Sequence, residues 1–87
     1  MHEFSICQSI VDAVLAKSRS LKPPVIRVSR ATVVVGKLRA LVPESLSFAY
    51  QELTRGTPAE GSELAITRAE GRELYLESME VEQDDHK

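Results

Sequence analysis

Apolar residues in the first part of the chain recur every three to four positions, which is the spacing of one helix face. Polar residues such as Ser9, Asp12 and Lys17 fill the opposite side. The double proline at 23–24 forbids continuation of a helix. The pattern therefore predicts a helix from Phe4 to about Ser18 that ends before Leu21. Its apolar face consists of Ile6, Cys7, Ile10, Val11, Val14 and Leu15.

A run rich in β-branched residues follows the prolines and predicts a long strand from Val25 to Val35. The uninterrupted apolar stretch at its end is typical of a strand buried on both faces, so we expect this strand to lie in the centre of the sheet. Gly36 closes the strand. The segment from Gly36 to Val42 is predicted to be a connecting loop.

A second helix is predicted to begin at Pro43, because proline is favoured at the first helical position and Glu44 suits the helix dipole. Gly56 and Pro58 mark its end. Its buried face is expected to consist of Leu46, Ala49, Tyr50 and Leu53.

Apolar and polar residues alternate in two further segments, which are separated by a predicted turn at 69–71 and indicate strands. The alternating apolar residues are Leu64 and Ile66 in the first segment and Leu74 and Leu76 in the second. Alternation resumes out of phase at Met79 and Val81. A bulge near Glu77 and Ser78 would bring the apolar residues of this segment back to one face of the sheet. The order helix, strand, helix, strand, strand predicts an α+β fold with two helices packed on one face of a three-stranded sheet.

The 87 residues suffice for a single domain, which we place at 1–82, followed by a flexible acidic tail at 83–87. Basic residues are dispersed and the net charge is -2, which argues against a nucleic-acid partner. The sequence contains no secretory leader pattern and no apolar run of membrane-spanning length, so we expect a cytoplasmic protein without membrane contact. One cysteine, Cys7, allows neither an intrachain disulfide nor a multi-cysteine zinc site.

The opening Met1-His2-Glu3 is the strongest candidate for chemistry. The terminal amine, the His2 amide nitrogen and the His2 imidazole can form fused chelate rings around one cation, and Glu3 can supply a fourth donor. Such a planar, nitrogen-rich array suits Ni(II) or Cu(II) better than tetrahedral Zn(II). The alternative is that His2 belongs to a frayed, solvated terminus.

The remaining candidates favour structural roles. Cys7 lies on the apolar helix face and is expected to be a small buried hydrophobe. Tyr50 and Tyr75 are expected to serve packing, and His86 to belong to the solvated tail. No nucleophile elbow, phosphate loop or HExxH pair is present, so an enzyme is disfavoured.

Three blocks of the sequence together resemble the HypA/HybF family of hydrogenase nickel-incorporation proteins. They are MHEFSICQSIVD at the start, VVVGKL with VPESLSFAYQELTRGTPAEGSELAI in the middle, and GRELYLESMEVE near the end. The resemblance implies that Met1, His2 and Glu3 form the nickel site. It also implies a nickel metallochaperone that acts with a maturation GTPase similar to HypB and delivers Ni(II) to an apo-hydrogenase or a urease system.

The chain departs from the family pattern in two places. Family members carry a zinc domain with two CxxC pairs between the strands that match 62–68 and 72–82, and this insertion is absent here. We therefore expect no structural zinc, and we expect the two flanking strands to close as a plain hairpin. Lys37 stands where the family commonly has Glu, which would change the charge of a partner surface near the nickel site.

Two alternatives to a nickel carrier remain open. The chain is either a metal-free interaction module that binds the maturation GTPase, or an engineered fragment without a cellular role of its own. A hairpin edge exposed by loss of the zinc domain would permit strand pairing between copies, so we expect a monomer or a weak homodimer.

Overall fold

The computed structural model describes residues 3–84, which form two α-helices, a short 3₁₀ turn and three strands. Helix α1 spans Glu3–Ser20 and helix α2 spans Pro43–Leu53. The strands are β1, Val25–Gly36, β2, Glu63–Ala69, and β3, Leu74–Gln83. The predicted α+β class, with helices packed against a three-stranded sheet, is confirmed.

Both helices begin and end close to where the sequence predicts. Helix α1 stops at Ser20, and the prolines that follow it cannot continue a helical ladder. Helix α2 has Pro43 in its first turn. The predicted loop between β1 and α2 contains a 3₁₀ turn at Lys37–Arg39 and a left-handed Ala40, whose φ is 55°.

The sheet has the order β2-β1-β3, so β1 is the central strand as predicted. It pairs in parallel with β2 and antiparallel with β3. The predicted hairpin between β2 and β3 is wrong, because β1 lies between them. The long apolar β1 gains main-chain partners on both sides in this order, whereas a β2–β3 hairpin would leave it at an edge.

The predicted bulge near Glu77 and Ser78 is confirmed. Thr32 pairs with Ser78 while Val33 pairs with Leu76, so Glu77 is the extra residue on β3. This insertion keeps the apolar residues of β3 on one face of the sheet. These residues, Leu74, Leu76, Met79 and Val81, are all half-buried against the core.

The core lies between the two helices and one face of the sheet. Val33 and Val35 of β1 belong to it, whereas Val34 points the other way and is still only 5% exposed. Burial of three successive valines bears out the expectation that the end of β1 is buried on both faces. The fully buried helix residues include Cys7, Val14, Leu46 and Tyr50.

The link between β2 and β3 crosses the end of β1. The Gly36 amide donates to the Glu73 carbonyl (2.7 Å) and the Leu38 amide donates to the Gly71 carbonyl (2.9 Å). A Cβ atom on Gly36 would overlap the main chain of Gly71, so only glycine fits at this crossing.

The end of the described chain is tied to the start of β1. The Gln83 side chain donates to the Pro23 carbonyl (3.0 Å), and the Asp84 amide donates to the Pro24 carbonyl (2.8 Å). The hydrogen-bonded structure of the sheet therefore extends past the domain boundary predicted after residue 82. The rest of the predicted flexible tail, residues 85–87 with His86, lies outside the described residues.

Within residues 3–84, neither helix is long and apolar enough to cross a lipid bilayer.

Candidate metal centre at the start of the first helix

Of the three residues predicted to bind nickel, only Glu3 lies within the described part of the chain; Met1 and His2 lie outside it. Glu3 is the first residue of α1 and is half-buried. Because the first four amides of a helix have no intrahelical acceptor, the start of α1 carries a partial positive charge that the Glu3 carboxylate offsets.

The start of α1 lies beside the start of α2, and the two helix ends form an open groove of about 460 Å3. Helix α1 contributes Glu3 and Phe4, and α2 contributes Glu44, Ser45, Phe48 and Ala49. The charged residues of this lining are both glutamates. A cation bound in this groove would therefore meet negative side chains from two separate elements.

Both phenylalanines of the chain line this groove and are exposed to solvent. Phe4 is 50% exposed and Phe48 is 65% exposed. Large aromatic side chains exposed side by side on a small domain are typical of a surface that another protein covers. Sequence analysis missed this groove, although Phe48 stands outside the apolar stripe of α2, and that position was the available signal.

Cys7 cannot serve this site as a thiolate ligand. Its side chain is fully buried one turn into α1, and Sγ donates to the Leu46 carbonyl at 3.7 Å. Burial raises the pKa of the Cys7 thiol from 9.0 to about 11, because a thiolate would lose its hydration. The prediction of a small buried hydrophobe is confirmed.

The two tyrosines have different surroundings. Tyr50 is fully buried, and its hydroxyl lies 2.7 Å from Ser62 Oγ. Burial is the main cause that raises the pKa of Tyr50. The packing role predicted for Tyr50 is confirmed. The packing role predicted for Tyr75 is wrong, because Tyr75 is 53% exposed.

Lys37, which sequence analysis singled out, forms an ion pair with another residue of the chain. Its Nζ lies 2.9 Å from Glu70 Oε1, and both side chains are largely exposed. Glu70 belongs to the link that crosses the end of β1, so this ion pair joins the 3₁₀ turn after β1 to that link. Sequence analysis did not identify this partner, since the two residues lie far apart along the chain.

Among residues 3–84, no group of three or more histidine, cysteine, aspartate or glutamate side chains is arranged to hold a metal ion. Of these residue types, the described part of the candidate centre holds Glu3 and Glu44. The nickel ligation predicted for Met1 and His2 stays a prediction, since both residues lie outside the described part of the chain.

Comparisons with known proteins agree on one family. Residues 1–73 match the family model described as hydrogenase/urease nickel incorporation, metallochaperone, hypA. A hydrogenase maturation factor HypA from Chlorobium limicola is 48% identical over 66 residues, which cover 76% of this chain and 55% of the relative. HypA from Chlorobaculum tepidum is 43% identical over 72 residues, covering 83% of this chain and 62% of the relative.

The chain thus spans a little over half the length of these relatives. A more distant HypA, from Caldanaerobacter subterraneus, is 32% identical over 116 aligned positions that cover 94% of this chain and all of the relative. Since that alignment is longer than the 87 residues of this chain, the relative has residues without a counterpart here.

Proposed function

Because the chain belongs to the HypA family over residues 1–73, we propose that it is a cytoplasmic nickel metallochaperone, which binds Ni(II) through Met1, His2 and Glu3 and delivers it during maturation of a [NiFe]-hydrogenase or a urease. The observation that carries the proposal is that the family match begins at Met1 and so includes the Met1-His2-Glu3 motif. In this proposal, Ni(II) is the cargo.

The chemistry of the proposed site suits a carrier. The terminal amine, the His2 amide nitrogen and the imidazole supply nitrogen donors in consecutive chelate rings, which favours planar coordination of Ni(II). Because the amide nitrogen must lose its proton, binding is expected to weaken as pH falls. A site built from the chain end is also easier to open than a closed cage of side chains, and a carrier must release its ion.

The surroundings of Glu3 support the same proposal. Glu3 and Glu44 lie at the starts of two adjacent helices and raise the local affinity for a cation. The exposed Phe4 and Phe48 offer an apolar surface next to the metal, where a maturation GTPase or the acceptor enzyme could dock. Ion transfer requires such contact close to the ligands.

A second candidate function is a metal-free interaction module that binds the maturation GTPase. The exposed Phe4 and Phe48 favour it, because an apolar docking surface needs no nickel to work. The two functions differ in whether the amino terminus binds the ion.

Titration of Ni(II) into the untagged chain separates the two functions, with heat and visible absorption recorded together. We expect one Ni(II) per chain and a square-planar spectrum. His2→Ala and a form with an acetylated amino terminus should both lose this binding, because the first removes the imidazole and the second blocks the terminal amine. Retention of stoichiometric binding by His2→Ala would overturn the site, and absence of binding by the unmodified chain would favour the interaction module.

A variant with Glu44→Gln tests the contribution of the groove. We expect Ni(II) binding to weaken by only about two- to fivefold, since the carboxylate acts on the ion through solvent rather than as a ligand. Glu60→Gln is the matched control, because Glu60 accepts its hydrogen bond from the Gly56 amide and does not line the groove.

A further inference from the structure

Strand β3 forms one edge of the sheet, and within the described chain it pairs only with β1. One side of its main chain is therefore free of strand partners. Beyond the bulge at Glu77, every residue from Ser78 to Gln83 has a partner in β1. The two further register shifts place their extra residues, Ile26 and Ser29, on β1 rather than on β3. An edge strand that carries no bulge of its own over this stretch can pair with one more strand.

The exposed side chains along this edge carry negative charge. Glu77, Glu80 and Glu82 are all exposed, and β3 contains no lysine or arginine. The cross-strand partners of Glu80 and Glu82 are Arg30 and Arg27 of β1, of which Arg30 forms an ion pair with Glu63 of β2 (3.1 Å). Glu80 and Glu82 lie on the face of the sheet opposite the core, next to the open side of the strand. A segment added at this edge would place alternate side chains beside these carboxylates.

The other face of the same edge offers a groove of about 420 Å3 with a mixed apolar and polar lining. It is lined by Lys17 and Leu21 at the end of α1 and by residues 76–79 of β3, of which Leu76 and Met79 are half-buried. A strand added to β3 would direct its remaining side chains towards this groove, since successive residues of a strand point to opposite faces.

We propose that the outer edge of β3 binds an extended segment of another protein as a fourth strand, and that this segment alternates lysine or arginine with apolar residues. The basic side chains would lie beside Glu80 and Glu82, and an apolar side chain would enter the groove next to Met79. Main-chain hydrogen bonds supply affinity in this mode of recognition, and the alternating side chains supply specificity.

Charge argues against a second copy of the chain as the occupant. Antiparallel pairing of β3 with itself would bring the glutamates of two copies together, and like charges opposite each other destabilise a sheet. The bulge and the charges are also typical protections of an edge against self-association. The charges act against another acidic strand and leave a basic segment free to bind between Ser78 and Gln83, beyond the bulge.

The test uses the full chain without nickel, so its outcome is independent of the proposed metal site. The probe is KVKVKVK with blocked termini, titrated into ¹⁵N-labelled protein. We expect a one-to-one complex whose largest amide shifts fall within Ser78–Gln83, with little change in β2. Three control peptides are EVEVEVE, which reverses the charge, KSKSKSK, which removes the apolar residues, and KVKPKVK, which interrupts the main-chain donors.

The matched protein variants are Glu80→Gln/Glu82→Gln and, as control, Glu52→Gln/Glu60→Gln in α2 and the loop that follows it. The first should bind KVKVKVK roughly three- to tenfold more weakly, and the control should bind it unchanged. Absence of shifts in β3, shifts centred on β2, or equal binding of KVKPKVK or KSKSKSK would overturn the proposal. Concentration-dependent self-association through the same amides would also overturn it, because the occupant would then be a second copy.

Discussion

Gly36 at the end of β1 lies against Gly71 in the link between β2 and β3, so closely that a methyl group on Gly36 would overlap the Gly71 carbonyl. The Gly36 amide donates to Glu73 at 2.7 Å in the same region. These contacts hold the link across the end of the central strand. They also explain why β1 ends where it does.

Gly36→Ala is expected to destabilise the protein by about 2 kcal/mol or more, because main chain must move to admit the methyl group. Urea unfolding followed by circular dichroism measures the change. Gly61→Ala is the control, since Gly61 has a φ of +78° and open space around it, and strain alone should cost only about 1 kcal/mol there. Equal losses in both variants would show that the crossing is not tight.

Leu46 and Phe48 are two residues apart on α2 and have opposite surroundings, with 1% and 65% exposure. Leu46→Ala should cost about 2–5 kcal/mol, because it leaves a cavity beside Cys7 and Tyr50. Phe48→Ala should change stability by less than about 0.5 kcal/mol. Thermal unfolding distinguishes the two. A large loss from Phe48→Ala would show that Phe48 is a core residue rather than part of a docking surface.

The raised pKa of Cys7 predicts a loss of stability in alkaline solution. The folded thiol keeps its proton up to about 11, whereas the unfolded thiol releases it near 9.0. The folded state therefore binds more protons between these values, and its free energy of unfolding falls as pH rises through this window. Burial also raises the pKa of Tyr50 above its ordinary value of 10.0, so Tyr50 adds to the same trend from about that pH upward.

Urea unfolding of the unmodified chain and of Cys7→Ala at pH 8 and at pH 10.5 measures this effect. We expect Cys7→Ala to lose less stability between the two pH values than the unmodified chain. The thiol should also react slowly with a disulfide reagent at pH 8 in the folded protein and rapidly in urea. Fast labelling of the folded chain would contradict the burial of Cys7.

Lys37→Glu should change the free energy of unfolding by no more than about 1 kcal/mol, because its ion pair with Glu70 is exposed. The double variant Lys37→Glu/Glu70→Lys restores opposite charges and should recover the loss. If Lys37 serves a partner surface, binding of that partner will change in both variants while stability recovers in the second. Unfolding curves and partner binding together separate the two roles.

The bounds of both helices, the central place of β1 and the bulge at Glu77 could be predicted from sequence, because periodicity and proline or glycine positions determine them locally. The strand that pairs with β2 could not be predicted from sequence. Alternation in Leu64 and Ile66 shows which face is buried, but it contains no information about which strand lies alongside. Two strands joined by a short link usually form a hairpin. Here β2 and β3 instead pair with the two edges of β1, and this arrangement depends on tertiary structure rather than on the local sequence.

The metal ligands stay a prediction, and the groove beside Glu3 could not be predicted from the sequence. The chelating motif is local in sequence, whereas the groove brings Phe4 and Glu3 together with Phe48 and Glu44 from a second helix. Packing of α1 against α2 brings these four residues together, and no short-range sequence pattern predicts that packing. The pairing of Lys37 with Glu70 was missed for the same reason.

The position of the crossing link at residues 70–73 also determines where an additional module could be inserted into this fold. Because it passes over the end of β1, it lies at the same end of the molecule as the start of α2, whose Pro43 and Leu46 lie near Val35 and Arg68. A module inserted into the link would emerge beside the helix starts that form the groove, without changing the order of the strands. In longer relatives, an appendage at this point would stand next to the start of α2 and the groove that it lines.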